Sequence, residues 1–95
     1  MNKYEVLYII DASIDDAAKE AQMAKYSDLV TANGGSVESI DKWGIKKFAY
    51  PMDFKNEGYY VLVNFSAAPE FPRELERNFE INENVMRYLV TRVEE

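Results

Sequence analysis

The chain has 95 residues, of which 47% are apolar, with five Phe, seven Tyr and one Trp. A domain of this size buries roughly 60–65% of its unfolded surface, so the expectation is one small core and a single domain over residues 1–95. There is no Cys and no His, and the net charge is -6; this excludes disulfides, thiolate–imidazole metal centres and His-based catalysis, and argues against capture of nucleic acid by bulk positive charge.

No apolar run approaches the ~18 residues of a membrane span, and the start, Met1-Asn2-Lys3-Tyr4-Glu5, lacks a signal-peptide pattern. The expectation is a soluble cytoplasmic protein with no metal and no cofactor. In chain order, residues 4–10 are aromatic and β-branched and predict a strand. Tyr4, Val6, Tyr8 and Ile10 share one face; Glu5, Leu7 and Ile9 share a wetter one.

Asp11-Ala12-Ser13 turns the chain, and Ser13 with Asp16 makes a weak capping box for a helix that runs to about Asn33. Its wheel places Ile14, Ala18, Ala21, Leu29 and Ala32 in one stripe, with Tyr26 and Val30 on the flank. Gly34-Gly35 ends it. A long second strand covers residues 36–52, bent or bulged at Gly44 and ended by Pro51. Asp53 to Gly58 reads as a polar turn, and Tyr59 to Phe65 as a dense, central strand with Tyr60, Leu62 and Phe65 in the core. Pro69 and Pro72 fall in the first turn of a second helix striped by Phe71, Leu75 and Phe79. Val85 to Val93 closes the chain as a fourth strand.

The order β-α-β-β-α-β predicts a ferredoxin-like α+β fold, a four-stranded antiparallel sheet with two helices on one face. Enzymes, ligand-binding regulators and RNA binders all use this fold, so function must come from a site. A phosphate-transfer site in the first loop is disfavoured, because Asp11-Ala12-Ser13 is acidic and has no glycine nest.

Charge distribution says more than the sum. Residues 42–52 hold Lys42, Lys46 and Lys47 and no acid; residues 84–93 hold Arg87 and Arg92 and no acid. The acids fall mostly in helices and turns, so they should cover the helical side. Trp43, Phe48 and Tyr50 interleave the lysines, and cations with rings suit RNA, one meeting phosphate and the other unpaired bases. Lys46 and Lys47 equally suit simple protection of an edge strand. Other readings are a free-standing RNA binder that stacks bases on Tyr59 or Tyr60, and a small-molecule regulatory domain.

The run Trp43-Gly44-Ile45-Lys46-Lys47-Phe48-Ala49-Tyr50-Pro51-Met52 closely resembles the signature stretch of the bacterial small-subunit ribosomal protein number six family. Tyr4-Glu5, Gly34-Gly35 then Val37, Gly58-Tyr59-Tyr60, Leu75-Glu76-Arg77 and Ile81 through Val85-Met86-Arg87-Tyr88-Leu89 agree in order, from about Lys3 to Val93. The resemblance implies a ferredoxin-like, non-enzymatic, ribosome-associated protein. It implies binding to the central domain of small-subunit ribosomal RNA, as a heterodimer with the small basic ribosomal protein number eighteen. The RNA-facing positions it implies are Lys3, Lys46, Lys47 and Arg87, joined by Trp43 and Arg92.

Overall fold

A computed structural model describes residues 1–52 and 55–93. Its elements are β1 (Asn2–Asp11), α1 (Asp16–Ala32), β2 (Ser36–Met52), β3 (Lys55–Ala67), α2 (Phe71–Glu80) and β4 (Val85–Arg92). All strand pairings are antiparallel, and the sheet order is β2-β3-β1-β4. Each crossover helix packs on the same face, which is the expected ferredoxin-like arrangement.

The sheet alternates as β1 predicts. Tyr4, Val6, Tyr8 and Ile10 are buried beneath the helices together with Val61, Val63, Phe65 and Ala67 of β3. Met23, Tyr26 and Val30 of α1 and Phe71, Leu75 and Phe79 of α2 complete this core. The Tyr26 ring fills the seam between the helices, 4.4 Å from Phe79 and 5.4 Å from Tyr8 by centroid. Aromatic pairs at such separations add to the plain burial of area.

Several expectations need correction. The cap of α1 is Asp15, whose carboxylate accepts from the Ala18 N–H at 2.7 Å. Ser13 instead donates from both its N–H and its hydroxyl to Asp11. The buried stripe of α1 is Lys19, Met23, Tyr26 and Val30, whereas Ala21 and Ala32 are exposed. The stripe is rotated by one residue from the expected one because the larger side chains Met23 and Tyr26 remove more apolar area from water than alanines do.

β3 begins at Lys55, so most of the expected polar turn is strand; Asp53 and Phe54 lie outside the described residues. Pro51 does not end β2, which pairs as far as Met52 with Lys55. Pro69 precedes α2, and only Pro72 lies in its first turn. Alternation also divides the expected core of β3: Phe65 is buried under the helices, but Tyr60 and Leu62 are on the opposite face.

Two glycines do the work that was expected of them. Gly34, at φ +82°, leaves α1 in the left-handed conformation, and its N–H bonds to the Thr31 carbonyl. Gly44, at φ +86°, follows an extra residue in β2, where Lys42 and Gly44 face consecutive β3 positions Val61 and Tyr60.

Candidate nucleic-acid interface

Cross-strand partners share a face, so the register assigns every candidate residue to one side of the sheet. On the helix-free side, β1 presents Lys3, Glu5, Leu7 and Ile9, and β3 presents Tyr60, Leu62, Asn64 and Ser66 opposite them. β4 adds Arg87, Leu89 and Thr91, and β2 adds Lys46 opposite Gly58. Of the six candidates, the structure thus brings Lys3, Lys46 and Arg87 to one face. Trp43 joins them through its ring contact with Tyr60.

Lys47 and Arg92 are not part of that face. Lys47 stands opposite Glu57, and Arg92 opposite Tyr4, both on the helix-side parity. The Arg92 guanidinium donates to the Asn2 side chain at 3.4 Å. Adjacent residues of a strand point to opposite sides, so the pair Lys46-Lys47 could never present both charges to one surface.

The densest part of the face is at β2 and β3. The bulge lays the Trp43 indole beside Tyr60, the rings 9° from parallel and offset at 6.3 Å. The Phe48 ring also lies near Tyr60, tilted at 48° with centroids 6.3 Å apart. Gly58 makes room for it: a Cβ there would collide with Ile9 Cγ2 and stand 2.8 Å from Phe48 Cζ. The indole N–H donates to the Asp41 carboxylate at 3.1 Å, and the Lys46 ammonium lies 5.6 Å from the indole centroid, within cation–π range. Trp43 remains 42% exposed.

At the other edge, Leu7, Ile9, Met86, Arg87 and Leu89 line a shallow apolar hollow, with Leu89 64% exposed. The two basic segments therefore do not merge. β2 and β4 are separated by two strands, about 14 Å at the usual strand spacing. Lys42 is also spent: its ammonium pairs with Glu20 of α1 at 2.9 Å.

The helical side is less uniformly acidic than expected. α1 carries three acids against two lysines, and α2 three acids against two arginines. Ion pairs Lys19–Asp16 and Arg77–Glu74 offset part of that charge. The first loop is closed by Asp11, which pairs with Lys55 at 2.9 Å. Burial alone would push the Asp11 carboxyl up, but Lys55 and the two Ser13 donors outweigh it and hold the group at about 2.

Neither tyrosine offered for base stacking is a free platform. Tyr59 stands on the helix side and packs against the core, and Tyr60 is half-buried against Trp43 and Phe48. Asp41 escaped notice in the sequence because its role depends on the bulge; its place two residues before the Trp is the sole hint. Among the described residues no group of three or more acids gathers to hold a metal ion.

The fold is that of a ferredoxin-like domain, with rings and cations on its helix-free face. The family model described as Ribosomal protein S6 matches residues 3–92, and the chain belongs to that family of small-subunit ribosomal proteins. Small ribosomal subunit protein bS6 of Clostridium novyi (strain NT) is 48% identical over 94 residues, 99% of each chain. The bS6 protein of Alkaliphilus metalliredigens (strain QYMF) is 43% identical over 95 residues, the whole of both chains. The fold superposes on the crystal structure of 30S ribosomal protein S6 from Thermotoga maritima with a TM-score of 0.92. That superposition covers 97% of this chain and 87% of the other, at 22% identity.

Proposed function

We propose that the protein is a non-enzymatic structural component of the small ribosomal subunit, cytoplasmic and ribosome-associated. It binds the central domain of the subunit's RNA as a heterodimer with the basic ribosomal protein number eighteen. The observation that carries this reading is the family match over residues 3–92, which includes the whole Trp43–Met52 stretch.

The geometry supports a local contact. Lys46 and Trp43 lie together on the helix-free face, and Lys3 and Arg87 share that face. A cation there neutralises a phosphate and releases its condensed counterions. The molecule as a whole, at -6, is repelled by RNA, so three surface cations are a weak basis for binding alone. A basic partner removes that repulsion and steers the pair to the RNA. The apolar hollow at β1 and β4 offers such a partner a surface that needs no charge. Lys47 and Arg92 contribute from the sheet margins.

The test measures binding of a central-domain RNA fragment by the protein, with and without the partner, at physiological salt. Weak binding alone and tight binding with the partner is the expected result. Tight binding alone would overturn the cooperative account, and no binding in either case would overturn the RNA reading.

A further inference from the structure

The helix-free face holds an acid where an RNA surface should avoid one. Asp41 stands opposite Leu62 on that face, next to the lysine and the rings that would meet an anion. Its carboxylate accepts the indole N–H of Trp43 at 3.1 Å. A tryptophan that is 42% exposed would otherwise rotate freely about its side-chain bonds. Here three constraints act on it. Gly44 at φ +86° sets the bulge, the Tyr60 ring abuts it nearly in parallel, and Asp41 fixes its edge.

We propose that Trp43 is a stacking platform for one unpaired nucleotide of the RNA, that Lys46 takes that nucleotide's phosphate, and that Asp41 is the positioning residue that holds the platform in place. This rests on the reading above that the helix-free face meets RNA. An unpaired base suits the site because it offers a flat apolar face to the ring and an anion to the ammonium beside it. Preorganisation explains the acid: a fixed ring loses little side-chain entropy on binding, which offsets the local repulsion.

Charge and position give opposite signs for one substitution. If Asp41 acts on RNA only as a negative charge, Asp41→Ala tightens binding. If it positions Trp43, Asp41→Ala weakens binding although a repulsive charge has gone. Asp41→Asn removes the same charge but keeps an oxygen that accepts the indole N–H.

The experiment measures affinity of the protein–partner pair for the central-domain RNA fragment, together with emission from Trp43, the single tryptophan of the chain. Thermal unfolding confirms that each variant folds. RNA should quench Trp43 emission, and Trp43→Ala should weaken binding about tenfold. Trp43→Phe, which keeps a ring, should fall between it and the parent protein. Asp41→Ala should weaken binding roughly threefold or more, and Asp41→Asn should bind at least as tightly as the parent. Unchanged or tighter binding by Asp41→Ala overturns the positioning role while leaving the RNA reading intact. Emission quenched by the partner alone and unaffected by RNA overturns the platform, and places a partner side chain on the ring. Failure of the parent pair to bind RNA overturns the underlying reading as well.

Discussion

Lys46 and Lys47 are chemically equivalent neighbours with different surroundings. Lys46 lies over the Trp43 ring on the helix-free face; Lys47 stands across from Glu57 on the other side. Their contributions to RNA binding should therefore differ. Lys46→Ala should weaken binding of the protein–partner pair and reduce its salt slope by about one unit. Lys47→Ala should change both less, because its side chain leaves the strand on the opposite side of the sheet. Salt titrations of the two single variants check this, and equal losses would mean that RNA reaches round the β2 edge. The lysine run was legible in the sequence as a basic cluster interleaved with rings. Which lysine faces the site was not, because that depends on bulges in a ladder formed with residues far along the chain.

The elements were legible to different degrees. β1 could be read to the level of its faces, since Tyr4, Val6, Tyr8 and Ile10 alternate with Glu5, Leu7 and Ile9, and Glu5 marks the second set as the wetter one. α2 was equally open to reading, with Phe71, Leu75 and Phe79 on one turn spacing. α1 was misread by one position. Its alanines are apolar but small, and the sequence does not say that the seam beside Tyr8 and Phe79 demands the bulk of Tyr26. The onset of β3 was missed because Lys55-Asn56-Glu57 is polar. Lys55 is held there by the ion pair to Asp11, at the far end of β1.

Gly58 shows how an element-scale demand becomes a residue requirement. A Cβ at this position would collide with Ile9 and Phe48. Gly58→Ala should cost about 1–3 kcal/mol, the usual range for overpacking, and should displace Phe48 from Tyr60. Chemical denaturation measures the first effect, and loss of RNA affinity beyond the stability change reports the second. A neutral substitution would show that the Phe48 ring moves aside freely.

At the scale of the whole molecule, stability depends on a core that contains hydroxyls. Burial pushes the Tyr8 phenol well above its ordinary value of 10.0, with Tyr26 and Tyr59 adding to the effect. Burial also raises Tyr26, partly offset by the hydrogen bond from Asn82. The Tyr88 hydroxyl donates to Glu80 at 2.6 Å and is pushed up to about 12. Folding thus favours the protonated phenols. Their contribution is fully present below pH 10, where the unfolded chain also keeps its protons, and is lost as pH rises through the folded values. The unfolding temperature should fall steeply above pH 10, and Tyr8→Phe should make that fall shallower. A flat profile between pH 10 and 12 would show that these phenols ionise freely in the folded state.

The surplus residue at Trp43 has an effect on everything that follows it in β2. An antiparallel ladder is a two-beat pattern, and an insertion shifts its phase by one beat. Were the same sequence to pair without the bulge, Ile45 would stand opposite Gly58 and Lys46 opposite Glu57, and the cation and ring of the site would point at the helices. The same strand would thus encode a different surface with no change in its composition. The bulge therefore sets the sidedness of the strand beyond it, whereas deletion of Trp43 removes the ring and leaves Gly44 opposite Tyr60 and Lys46 opposite Gly58.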